Sequence, residues 1–233
     1  MTAPVVTVAT DLDAGTGRRL RPVATGVAVA VGAVTVGWIV SSWADASVST
    51  AMLPWVLGRG LGIAAYLALA ALTATGLWLR HPLRARVGGP SPSTLLWTHA
   101  ALAAATLLLL TGHLVALAVD PFADVGWRGT LVPGLSHYRP YAVGLGVTGV
   151  YLGMIAAGSV VLAGRLVGRR WLPIHRLSSV AFGLVWLHAV LAGSDTSRLR
   201  WLYVGSGVAL GLLLLTRRLL PTAAAMSESA VAE

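Results

Sequence analysis

The sequence predicts an all-α fold, a polytopic membrane protein built as a bundle of six transmembrane helices. Three observations carry that expectation. The chain is 56% hydrophobic and only 11% charged, with a mean hydropathy of +0.78, which leaves too little polar surface for a soluble domain. Six apolar runs, most of them long enough to cross a bilayer as a helix, divide it. Arginines cluster between those runs rather than along polar faces, so the net charge of +9 reads as a topology signal and membrane lipid, not nucleic acid, is the expected contact.

Met1 to Gly17 is polar and has no apolar period, which predicts a disordered tail. The first span is Val23 to Val40, flanked by Arg18, Arg19 and Arg21. Ala44, Asp45 and Ala46 have the small-x-small form of a signal cleavage site, but the apolar run is longer than a signal core, which favours a retained helix. A second span runs from Trp55 to Leu79, with small residues at Gly58, Gly60, Gly62, Ala64 and Ala65 that admit a neighbouring helix or a flat ligand. Arg80, Arg84 and Arg86 follow in a loop ending GGPSPS, and His81, beside Pro82 in that loop, is expected to be solvated.

The third span, Leu95 to Val119, carries His99 and His113. Fourteen residues separate them, about 21 Å along a helix, and leave the second ring only about 40° from the first in azimuth. Next comes a long loop from Asp120 to Arg139, whose length favours a functional or capping role. The fourth span, Tyr141 to Leu162, places Gly149, Gly153 and Ala157 on one packing face. The fifth, Leu172 to Ala192, opens with Pro173 and carries His175 and His188, thirteen residues and about 19.5 Å apart. An ideal helix would set that second pair some 140° apart, out of line with the first. The last span runs from Trp201 to Leu215 and ends before Arg217 and Arg218.

Twelve arginines fall on the side of the termini (18, 19, 21, 80, 84, 86, 165, 169, 170, 176, 217, 218) and five on the other (59, 128, 139, 198, 200). The positive-inside rule then places both termini in the cytoplasm. All seventeen basic residues are arginine, which hints at a GC-rich bacterial genome and a bacterial cell membrane. Spans three and five run in the same direction, so His99 is level with His175 and His113 with His188. Cysteine is absent, which excludes thiolate metal sites, iron–sulfur clusters and covalent haem attachment. Two histidine pairs on facing membrane helices suit two b-type haems, each iron held between two imidazoles, with small residues admitting the macrocycles. A proton relay or metal-transport site would be expected to add carboxylates at mid-span, whereas Asp120 and Asp195 lie at helix ends. A non-redox transporter or assembly scaffold, with packing or ion-binding histidines, is the alternative function.

At these residues the chain resembles the ferric reductase-like transmembrane family, the six-helix haem module of ferric reductases, NADPH oxidases and the haem subunit of a bacterial methionine sulfoxide reductase system. The resemblance extends from about Trp55 to Leu215, and SHYRP (Ser136 to Pro140) and HAVLAGSDT (His188 to Thr196) resemble an actinobacterial branch. That family carries histidines fourteen apart on its third helix and thirteen apart on its fifth. The resemblance implies that His99 and His175 ligate an inner haem, that His113 and His188 ligate an outer one, and that the chain transfers electrons across the membrane. Arg139, with His137 and Tyr138, is a candidate to cover the outer haem or pair with its propionates, the other reading being a solvated loop at the membrane interface. The expected organisation is a disordered cytoplasmic tail over 1–21, a six-helix haem-binding domain over 22–220, and a second cytoplasmic tail over 221–233. Only about fifteen residues follow Arg218, so no flavin domain is expected in this chain. A separate flavoprotein or quinone would then be the donor, and the sequence does not identify the acceptor.

Overall fold

The structure, a computed structural model, describes residues 50–163 and 171–220. The expected first span, both tails and the arginines at 18, 19, 21, 165, 169 and 170 lie outside the described residues. Among the described residues the chain is entirely helical, and five helical segments are long and apolar enough to cross a membrane. A 3-10 turn at Thr50–Met52 leads into α1 (Leu53–Leu79); the short α2 (Arg84–Val87) precedes α3 (Pro92–Ala118). The short α4 (Gly126–Leu131) precedes α5 (Pro140–Val161); α6 (Trp171–His175) and α7 (Leu177–Ala192) together form one span, and α8 (Thr196–Leu219) closes the chain.

Local chemistry sets the boundaries. The third span begins at Pro92, ahead of the apolar run, because Ser91 caps it: the Thr94 amide donates to Ser91 Oγ at 3.1 Å, and proline suits the first turn. The last span begins at Thr196 rather than Trp201. Helix-forming Arg198 and Arg200 continue it outward, and Thr196 Oγ1 donates to the Val190 and Gly193 carbonyls. The span containing both His175 and His188 is interrupted at Arg176, whose carbonyl accepts from the Ser179 amide three residues on at 3.1 Å. The tightened turn shifts the azimuth between His175 and His188 away from that of an ideal α-helix.

Two antiparallel helix pairs make the body of the bundle. Helix α1 packs along α3 through alanines, with Ala64, Ala65, Ala68, Ala105 and Leu109 forming a buried seam. Helix α5 packs along α7, where Gly149 lets Val185 and the Ala181 carbonyl approach; a Cβ there would meet Val185 Cγ2 at 2.9 Å. Helix α8 rests against α1 and α7 through a second core of Tyr66, Leu77, Phe182, Tyr203 and Leu210. Tyr66 joins the three elements: it stacks on Phe182, meets Tyr203 edge-on at 5.2 Å and shares a 2.5 Å hydrogen bond with Ser206. The helices that carry the histidines, α3 on one side and α6 with α7 on the other, do not pack against each other along their lengths. A gap between the two helix pairs results.

Candidate functional site

Each of the four paired histidines reaches across to the neighbouring helix of its own pair. Nδ1 of His113 lies 2.7 Å from the Gly58 carbonyl and Nδ1 of His99 lies 3.1 Å from that of Leu72, both on α1. Nδ1 of His188 lies 2.9 Å from the Ala142 carbonyl and Nδ1 of His175 lies 3.0 Å from that of Ala156, both on α5. A carbonyl only accepts, so Nδ1 carries the proton in all four rings. In the neutral imidazole that leaves the lone pair on Nε2. No Nε2 among the four has a hydrogen-bond partner among the described residues. One nitrogen fixed on a carbonyl and the other open is the arrangement found in metal-ligating histidines.

The two remaining histidines behave otherwise. His81, expected to be solvated, is instead buried at 4% exposure. The correction has a physical cause: the ring stacks on Trp78, Nδ1 accepts from the Leu83 amide at 3.2 Å, and Nε2–H donates to Thr216 Oγ1 at 3.0 Å. Both nitrogens are used, and the imidazole ties the loop after α1 to the end of α8. His137 lies at the surface, 3.1 Å from the Asp124 carboxylate, with both side chains more than three-quarters exposed.

The four rings lie at two levels. His99 and His175 approach to 6.3 Å between centroids with planes 72° apart. Two imidazoles bound trans to one metal through bonds of about 2 Å would have centroids about 6 Å apart. At the other level His113 and His188 face a common cavity of about 270 Å³, just below the roughly 300–1,000 Å³ typical of small-molecule sites. Its walls are mainly aliphatic, with Gly62, Gly146, Gly149 and Gly153 among them. No group of three or more metal-binding side chains occurs among the described residues, so the histidines are organised two by two. The donor chemistry, two neutral imidazoles at each level with Nε2 unbonded among the described residues, suits a metal-carrying group.

The cavity has a polar end. Arg59 of α1 and Asp195, the residue before α8, both line it and form a bidentate ion pair, with Arg59 Nη2 at 2.6 Å from each Asp195 oxygen and Nε at 2.9 Å from Oδ2. Tyr138 also lines it, and its hydroxyl donates to the Ala192 carbonyl at 3.1 Å. Arg139 is not part of the lining. It takes a left-handed backbone conformation (φ 43°) ahead of α5, and Nη1 donates to the Leu191 carbonyl at 2.8 Å. Tyr138 and Arg139 thus cap the helix that carries His188, satisfying carbonyls that a helix end leaves open. Arg59 and Asp195 went unrecognised in the sequence because neither has a local signal; they meet across 136 residues.

Comparisons with family models, with curated proteins and with solved structures return no match.

Proposed function

We propose that this chain conducts electrons across a membrane through two b-type haems, held by His99 and His175 at one level and by His113 and His188 at the other. The observation that supports this reading is the uniform use of Nδ1: four imidazoles, each anchored to a backbone carbonyl with Nε2 unbonded among the described residues, two of them lining the cavity between the helix pairs. A haem bound between two imidazoles supplies an iron that gains and loses one electron without exchanging ligands.

The chain's own residues do the rest. The carbonyls of Gly58, Leu72, Ala142 and Ala156 hold the ring tautomers and raise the basicity of the coordinating nitrogens. Aliphatic walls keep water from the His113 level, and Arg59, held by Asp195, puts a guanidinium at the cavity's polar end where an acidic edge group would lie. Arg80, Arg84, Arg86, Arg176, Arg217 and Arg218 gather at the His99 end, with Arg217 in the field of Arg80, Arg176 and Arg218. By the positive-inside rule this is the cytoplasmic end. On this reading the chain is the membrane component of a ferric reductase-like oxidoreductase in a bacterial cell membrane. A flavoprotein or quinone is its electron donor.

The test is a set of single His→Ala variants read by reduced-minus-oxidised absorption. Loss of His99 or His175 should remove one low-spin b-type component, and loss of His113 or His188 the other. A variant that keeps full haem content and an unchanged low-spin spectrum would show that its histidine is not an axial ligand.

A further inference from the structure

The carbonyls that receive the histidines and the glycines beside them share a register. Gly58 and Leu72 accept from His113 and His99, and the residues four positions further along α1 are Gly62 and Gly76. Ala142 accepts from His188, and four positions further along α5 is Gly146. In a helix the residue at i+4 donates to the carbonyl at i, so its Cβ would stand beside the oxygen the imidazole must reach. A Cβ on Gly62 would lie 2.8 Å from both Cε1 and Nδ1 of His113, one on Gly76 3.0 Å from Cε1 of His99, and one on Gly146 2.8 Å from both Cγ and Nδ1 of His188. The fourth carbonyl, Ala156, is followed at the same offset by Val160. His175 is also the only ring of the four set on a separate short helix, before the interruption at Arg176. Of the four receiving carbonyls, only the one that serves His175 lacks a glycine at this offset.

We propose that Gly62, Gly76 and Gly146 are positioning residues: each keeps clear the space through which one imidazole bonds a backbone carbonyl, and so sets the orientation and donor strength of that ligand. The inference rests on the haem reading above. Alanine at any of the three pushes a ring off its carbonyl. An imidazole without that bond is a weaker donor to ferric iron, so the midpoint potential of the affected site rises and its haem affinity falls, in the range of 10- to 100-fold for loss of such a supporting contact.

The experiment uses the full chain, purified with its haem, carrying Gly62→Ala, Gly76→Ala or Gly146→Ala. Gly158→Ala and Gly183→Ala serve as controls, because a Cβ at either meets nothing within 4 Å. Low-spin electron paramagnetic resonance and a redox titration are read for each. Gly62→Ala and Gly146→Ala should change the same one of two haem signals, Gly76→Ala the other, and the controls neither. A second arm guards against variants that fail to accumulate. Once His113 is alanine the ring is gone, so Gly62→Ala added to His113→Ala should cost no more stability than the Gly158→Ala control, whereas in the native background it should cost more. If the three variants accumulate with both signals unmoved, or if Gly62→Ala is as damaging without the ring as with it, the positioning role is wrong while the haem reading stands. Absence of any bis-imidazole signal from the unsubstituted chain would overturn both.

Discussion

Replacing Asp195 with asparagine removes the anion that Arg59 engages through three contacts of 2.6–2.9 Å, and the consequence can be worked out from burial. The two side chains are only 22% and 19% exposed. Fully exposed pairs couple by about 0–1 kcal/mol, while removing one partner of a fully buried pair costs about 3–5 kcal/mol. A pair this far from solvent, and bidentate, should fall between, so Asp195→Asn is expected to cost about 2 kcal/mol. For a chain of this size that corresponds to a fall of roughly 4–8 °C in melting temperature. Arg59 has a further interaction of its own, so its single variant overstates the pair. A double-mutant cycle with Arg59→Met and Asp195→Leu, read by thermal unfolding in detergent, isolates the coupling. It should come out at about 1–3 kcal/mol, with the double variant within about 1 kcal/mol of the native chain because two apolar side chains leave no orphaned charge. A coupling below about 0.5 kcal/mol would refute the claim that this pair fastens α8 to α1 at the cavity's polar end.

Two other outcomes are expected. Thr216→Val should cost about 1 kcal/mol by leaving His81 Nε2–H without its acceptor, and should speed proteolysis of the loop after α1; unchanged cleavage would show that this bond does not hold the loop. A reporter active only in the cytoplasm, fused after Arg218, should be active, whereas activity of an export-dependent reporter there would invert the bundle.

The apolar spans from Trp55 onward were legible because nothing interrupts their hydrophobic runs except residues that helices tolerate. Helix ends moved by a few residues where a cap acted, as at Ser91. The thirteen-residue spacing of His175 and His188 defied an ideal helical wheel because the wheel assumes uniform α-helical turns, and the helix tightens into a three-residue turn at Arg176. His81 misled for a different reason: it stands beside Pro82 in a loop between spans, but its partner Thr216 lies 135 residues away, and burial is decided by the partner. The contact of the Arg139 guanidinium with the Leu191 carbonyl had no local signal either, because the helix end that offers the carbonyl lies 52 residues away. Gly62 stood out only as one of several small residues, and Gly76 and Gly146 not at all, because nothing local shows that a glycine faces an imidazole.

The ratio of haem to polypeptide tests the central claim most directly. Protein produced in haem-replete cells, purified intact and assayed for haem and protein independently, should carry two b-type haems per chain, both low-spin and both reducible by dithionite. A ratio of one would leave one histidine pair without its assigned role. A haem-free chain that stays folded and takes up no haem on reconstitution would contradict the account.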